Sequence, residues 1–198
     1  MVKECNAGLI TAFPSSVRED ATAAVSALPE TTHLACEFSV RVNSETVSIP
    51  QRIYHNPLDV SVLSRFGWRS QTKKEILDCL FTRHADGFVR EERLRRVIRS
   101  NNIWIPPFVI QLAGEYIVEI LRIIEQHLDT LDEALYSGFV QSNPQFIAKT
   151  KQRILSYWDC YYRLIPWREY PGFRIHTFLE SLNKKARIAP GLELKAKS

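Results

Sequence analysis

The sequence predicts a mostly α protein, an antiparallel stack of about six helices with a small helix-plus-hairpin unit at its start. Three observations carry that reading. Apolar residues recur at helical spacing over most of the 198 residues. Strict alternation is confined to residues 34–54, where it predicts strands. Glycine occurs 7 times, about half its usual share, which disfavours a loop-rich barrel. A chain of this mass buries roughly 70% of its unfolded surface, enough for a core without metal or disulfide.

The elements follow in order. Ser16 and Glu19 stand in capping-box register, and Val17, Ala21, Ala24, Val25 and Leu28 continue at helical spacing until Pro29. From Leu34 the period is two: Cys36, Phe38, Val40 and Val42 share its face, and Val47, Ile49 and Ile53 resume the alternation after Asn43-Ser44-Glu45. This is a β-hairpin whose second strand is cut short at Pro50, which lacks a backbone donor. A unit this small needs something to dock on. A second capping box, Thr72 with Glu75, leads a stripe of Ile76, Leu77, Leu80 and Phe81. The next helix spans 89–100 and carries Val89, Leu94, Val97 and Ile98 among five arginines. Pro106 and Pro107 open the longest helix, 106–127, whose polar positions fall on the single stripe Gln111, Glu115, Glu119, Arg122 and Gln126. A shorter helix starts at Asp129-Thr130, another at Asn143-Pro144 ends before Pro166, and a last one covers 173–182. The domain reading is 1–56 for the helix and hairpin unit, 57–182 for the helical domain, and 183–198 for a flexible basic tail.

Charge is unevenly spread. Lys and Arg number 26 against 22 Asp and Glu, but residues 1–69 carry −1, 70–105 carry +3, 106–142 carry −5 and 143–198 carry +7. Basic segments flank an acidic one. They either neutralise each other across helix contacts or present a basic surface to an anionic partner. Cys5, Cys36, Cys79 and Cys160 are scattered with no CxxC pair, which predicts a reduced, cytoplasmic setting. The stretch 108–128 contains Glu115, Glu119, Arg122 and Glu125, too many charges for a bilayer span. No apolar run at the N-terminus has signal-peptide length, so the expectation is a protein neither secreted nor membrane-embedded.

Thr82-Arg-His-Ala-Asp-Gly-Phe-Val-Arg90 ends one helix, turns at Asp86-Gly87 and opens the next. This corner resembles that of a HEAT-type helical hairpin over residues 72–100. The resemblance implies an Asp–Arg pair fixing the turn, at Asp86 and Arg90, and a stacked-helix scaffold that binds proteins, or in some members nucleic acid, through a groove. Glu91-Glu92-Arg93 departs from the small residues of that family, and no second copy of the motif is present.

Two sets of residues point to function. Arg90 and Arg93 fall on the same side as Val89, Leu94 and Val97, where a charge needs an acidic partner. Glu115 and Glu119 are the expected partners in structural ion pairs, and the alternative is that Arg90, Arg93, Arg96 and Arg99 hold phosphate or an acidic protein. Residues 158–174 interleave aromatics with arginines, among them Trp167, Arg168 and Arg174. Such a pattern serves either single-stranded nucleic acid, rings on bases and guanidiniums on phosphates, or packing around an irregular loop. Catalytic signals are poor. His84 with Asp86, and Cys79 five residues before His84, are the strongest, with no HExxH, GxSxG or glycine-rich phosphate loop beside them. The sequence therefore predicts a non-enzymatic protein-interaction module of scaffold, adaptor or regulatory type, with a nucleic-acid binder as the alternative and a hydrolase at His84 and Asp86 behind both. It predicts no catalytic residue, no cofactor and no metal, an unidentified protein partner, and no membrane.

Overall fold

The computed structural model describes residues 4–28, 33–34, 36–54 and 70–188. Residues 57–69 of the expected helical domain, and 189–198 of the expected tail, lie outside the described residues. The fold is mostly α, with nine α-helices among the described residues. It divides into two compact units, 1–100 and 101–198.

The first unit begins with α1 (Glu4–Ile10), which the sequence pattern did not mark, and α2 (Arg18–Ser26). The Ser16 capping box does not form: no side chain caps α2, and Ser15 instead donates from its amide and hydroxyl to the Glu45 carboxylate, at 2.9 and 2.7 Å. The strands are β1 (His33–Leu34), β2 (Glu37–Val42), β3 (Glu45–Pro50) and β4 (Ile53–Tyr54). β2 and β3 form the expected hairpin, closing Val42 on Glu45 and Glu37 on Pro50. The turn between them holds Asn43 at φ 53°, a left-handed conformation that Asn tolerates and that suits a two-residue hairpin. Val40, Val42, Val47 and Ile49 are buried, as the alternation requires.

The hairpin is tied to its surroundings through backbone groups. The Ser48 amide donates to the Thr11 carbonyl at 3.0 Å. β4 pairs with β1, and Ile53 also exchanges bonds with the corner that follows, its amide donating to Arg83 O (2.8 Å) and its carbonyl accepting from Ala85 N (2.9 Å). That corner joins α3 (Gln71–Phe81) to α4 (Gly87–Val97). The cap of α3 is Ser70, whose hydroxyl accepts from the Lys73 amide. Thr72 is displaced from that role, and Glu75 takes the Gln71 side-chain amide and the Ser100 hydroxyl.

The second unit contains α5 (Pro106–Ala113), α6 (Val118–His127), α7 (Glu133–Ser142), α8 (Pro144–Tyr157) and α9 (Pro171–Ile188). The long helix predicted over 106–127 is thus two helices around a corner at 114–117. Gly114 ends α5, and a Cβ on it would lie 3.3 Å from Arg153 Cδ and 3.5 Å from Thr150 Cγ2, so α8 approaches the corner closely because residue 114 has no side chain. Asp132, not Asp129, caps the next helix, accepting from the Leu135 amide at 2.9 Å. Pro144 stands in the first turn of α8, where a missing amide hydrogen costs nothing. α8 runs on into a π-helical turn, Trp158–Tyr162, and α9 extends well past residue 182. Phe108, Leu112, Ile120, Leu121, Ile154 and Leu179 are among the fully buried side chains of this unit.

Candidate functional site

The corner 82–90 is built from buried polar groups. Asp86 caps α4 by accepting the Phe88 amide at 2.8 Å. Arg90 is 2% exposed, and its Nη1 donates to the carbonyls of His84 (2.8 Å) and Ala85 (2.7 Å). Asp86 and Arg90 both bond to backbone groups of the same turn. His84 is buried and its Nδ1 accepts the Asp86 amide at 3.0 Å. The imidazole is committed to turn geometry, and the Asp86 carboxylate orients α4 rather than a base. Cys79 is fully buried, and burial, with Asp78 and Glu75 beside it, pushes its thiol well above the ordinary range. That environment opposes thiolate formation, the reverse of an activated nucleophile.

The arginines of α4 find their carboxylates close by. Arg93 donates from Nη1 to Asp78 Oδ1 at 2.9 Å, and its guanidinium lies 5.7 Å from the Phe81 ring centroid. Arg96 approaches the same Asp78 oxygen at 3.9 Å and pairs with Glu92. Arg95 pairs with Glu91 one turn away at 2.8 Å. Arg99 is exposed just beyond α4. Arg93 is thus paired with Asp78 of α3. Burial raises the Asp78 carboxyl above its ordinary value although Arg93 and Arg96 pull it down. In the second unit Glu115 is buried in the α5–α6 corner, while Glu119 is exposed in the first turn of α6. Because the corner separates them, they are not the i,i+4 pair that a continuous helix would present.

The aromatic segment splits into a packed half and an open half. Trp167 is half-buried, with ring centroids of Trp158, Tyr170, Phe173 and His176 at 5.4, 6.0, 5.6 and 6.0 Å. The Trp158 indole donates to the Ile165 carbonyl at 2.9 Å, and Tyr170 stacks on Tyr162 at 5.3 Å. Trp167 is therefore largely a packing residue. We expect Trp167→Ala to cost about 2–3 kcal/mol, somewhat below a full core truncation because the ring is half-buried, measured by denaturant unfolding; a change below about 0.5 kcal/mol, the size of a surface substitution, refutes the packing role. Arg168 is exposed in the loop. Arg174 pairs with Asp129 at 3.2 Å, a solvent-facing contact of small energetic weight.

The open half is a tyrosine cluster that sequence reasoning did not assemble. Tyr116 sits on the α5–α6 corner, Tyr157 ends α8 and Tyr161 follows in the π-helical turn. Their ring centroids lie 6.0, 5.9 and 6.1 Å apart, pair by pair. Tyr162 fastens this arrangement: its hydroxyl donates to the Tyr116 carbonyl at 2.6 Å, which pins the π turn to the α5–α6 corner. Tyr116 is 51% exposed, Tyr161 65% and Leu164 97%. π-Helical turns concentrate at functional sites. The legible signals were Gly114 as a break and the i,i+4 spacing of Tyr157 and Tyr161.

Among the described residues no group of three or more His, Cys, Asp or Glu is placed to hold a metal ion, and no helix is long and apolar enough to cross a membrane. Cys36 and Cys160 are free and exposed, and Cys79 is free and buried. No family model, curated protein or solved structure matches the chain.

Proposed function

We propose that this chain is a non-enzymatic protein-interaction module, a scaffold, adaptor or regulatory element, that engages its partner through the exposed aromatic surface of the second unit. One observation carries the reading: Tyr116 and Tyr161 are exposed and cluster with half-buried Tyr157 around a single corner, and Leu164, three residues past Tyr161, is 97% exposed, while the other large apolar side chains of these helices are mostly buried. Tyrosine at an exposed, rigidly held position contributes contact area at low entropic cost and is enriched where interfaces bind tightest. The stacked helices suit such a scaffold, as the HEAT-like corner at 82–90 implies, and the unpaired cysteines suit a reducing cytoplasm.

The arrangement disfavours nucleic acid. Arg93, Arg95, Arg96, Arg163 and Arg174 are each within ion-pair distance of a carboxylate, and a guanidinium already neutralised releases few counterions on meeting phosphate. The test is affinity capture of the tagged full chain from lysate of its own host, with and without nuclease, in parallel with the double variant Tyr161→Ser, Leu164→Ser. A stoichiometric protein that survives nuclease and is lost with the variant is the expected result. Recovery of nucleic acid alone, lost on nuclease treatment, overturns the reading.

A further inference from the structure

The tyrosine cluster continues into a cationic stripe. Lys149, Arg153, Tyr157 and Tyr161 follow one another at i, i+4, i+8 and i+12 along α8 and its π turn, so they fall on one face. Arg153 is placed beside the corner as well, since its Cδ would lie 3.3 Å from a Cβ on Gly114, two residues before Tyr116. The neighbouring cations are occupied: Lys151 binds Glu180 at 2.8 Å and Arg163 binds Asp159 at 2.8 Å. Lys149 and Arg153 have no ion-pair partner among the described residues, and the phenol oxygens of Tyr116, Tyr157 and Tyr161 have no hydrogen-bond partner among them. The face thus offers two uncompensated positive charges at one end, then a cluster of tyrosine rings with free donors at the other.

Building on the interaction-module reading, we propose that the occupant of this face is a short acidic amphipathic helix from a partner protein, its carboxylates on Lys149 and Arg153 and its apolar anchors on Tyr116, Tyr157 and Tyr161. Three properties select that chemistry. At 1.5 Å rise per residue the stripe is roughly 18 Å long, the length of a helix of about a dozen residues. Its charge is all of one sign and segregated from its apolar part, so the complementary segment carries carboxylates and apolar residues in separate turns. The tyrosine rings are in mutual contact at about 6 Å, which leaves no slot between them for a nucleic-acid base. Single strands also require cations tracking the backbone along the whole groove, whereas here they stop at Arg153.

The experiment uses the full chain and three fluorescent synthetic peptides of about 15 residues, long enough to cover the stripe as a helix. One carries glutamates in one turn and leucine and phenylalanine in the next two, the second replaces each glutamate by glutamine, and the third replaces each by lysine. Single-stranded oligothymidylate of similar length is the fourth probe. Fluorescence anisotropy is expected to show the glutamate peptide binding best. Lys149→Glu with Arg153→Glu should weaken it by about tenfold or more and favour the lysine peptide instead. Tyr161→Ala should weaken the glutamate and glutamine peptides alike. All these variants are on exposed or half-exposed positions, and thermal unfolding of each checks that it is folded. Equal binding of the glutamate and glutamine peptides, tighter binding of oligothymidylate, or binding of no peptide overturns the assignment. If the peptides fail while capture of a stoichiometric protein still depends on Tyr161 and Leu164, the acidic-helix assignment falls and the interaction module stands. Loss of the captured partner from the wild-type chain overturns both.

Discussion

Asp78→Ala will destabilise the protein by about 2–3 kcal/mol, because it strands the Arg93 guanidinium in a site where water does not replace the carboxylate. The two side chains are 11% and 13% exposed, and the Arg93 Nε already lacks a hydrogen-bond partner. The expected cost is below the range for fully buried pairs because Arg96 also reaches this carboxylate from solvent, and exposed pairs are worth little. The raised Asp78 carboxyl shows the other side of the balance: desolvation outweighs what the arginines return. The pair is therefore costly to break on one side without being a large net source of stability. It follows that Asp78→Leu combined with Arg93→Met should recover most of the loss, since apolar side chains of similar volume need no solvation. Equilibrium unfolding in urea measures all three variants. If Asp78→Ala lies within error of wild type, the arginines of α4 are not structurally committed and return as candidates for binding an anionic partner. The contrast Arg93→Ala against Arg95→Ala sharpens the point, because Arg95 is 57% exposed and its loss should be nearly silent.

That pair also marks where sequence reasoning reached its limit. The position of Arg93 on an apolar face required a carboxylate, and the requirement was correctly legible. Its source was not, because Asp78 lies inside the apolar stripe of α3 and looks there like a lapse in the pattern. Helical spacing places side chains on faces of one helix, but which helices meet is set by packing over the whole fold. The same distinction explains the split at Gly114. Its neighbours are apolar and helical in period, so the pattern runs through it, whereas the close approach of Arg153 and Thr150 that makes a side chain unwelcome there is a tertiary fact. The missed cap at Ser70 is of another kind: Thr72 and Glu75 satisfy the capping-box spacing, and two overlapping start signals are resolved by where the chain enters the helix.

The central part of the hairpin, residues 37–50, was legible because both of its determinants are local, while 33–34 and 53–54, expected to be part of the same hairpin, pair in a separate two-stranded sheet and Cys36 is exposed. Alternation sets the faces, and Asn43-Ser44 sets the register by accepting a left-handed turn. The aromatic segment was legible as chemistry but not as geometry. Its rings divide between packing and exposure according to which side of the π turn they occupy, and a π turn has no recognised spacing in the sequence. Trp167, beside the exposed Arg168, is surrounded by four rings. Tyr161, six residues earlier, is the open one.

Gly172→Ala should cost about 2–3 kcal/mol, toward the upper end of what one extra methyl group does in a packed site. Gly172 lies in the first turn of α9, where alanine would ordinarily be the better helix former. Here a Cβ would sit 2.4 Å from Tyr170 Cε1 and 2.7 Å from Ile154 Cγ2. Neither neighbour has room to yield. Tyr170 is 1% exposed and its ring is stacked on Tyr162 and tilted against Trp167, and Ile154 is fully buried on α8. Relief therefore requires α9 to draw away from α8, disturbing the stack that holds Tyr162 and, through it, the corner bearing Tyr116. Tyr170→Phe is expected to move stability the opposite way, by up to about 1 kcal/mol, since it removes a hydroxyl that would otherwise stay buried without a partner. That hydroxyl has no hydrogen-bond partner, and burial together with the neighbouring Tyr162 pushes its phenol well above the ordinary range. Thermal unfolding of the two single variants separates ring packing from hydroxyl solvation. A Gly172→Ala protein as stable as wild type overturns the tight α8–α9 contact, and a Tyr170→Phe protein less stable than wild type means that the hydroxyl has a partner after all.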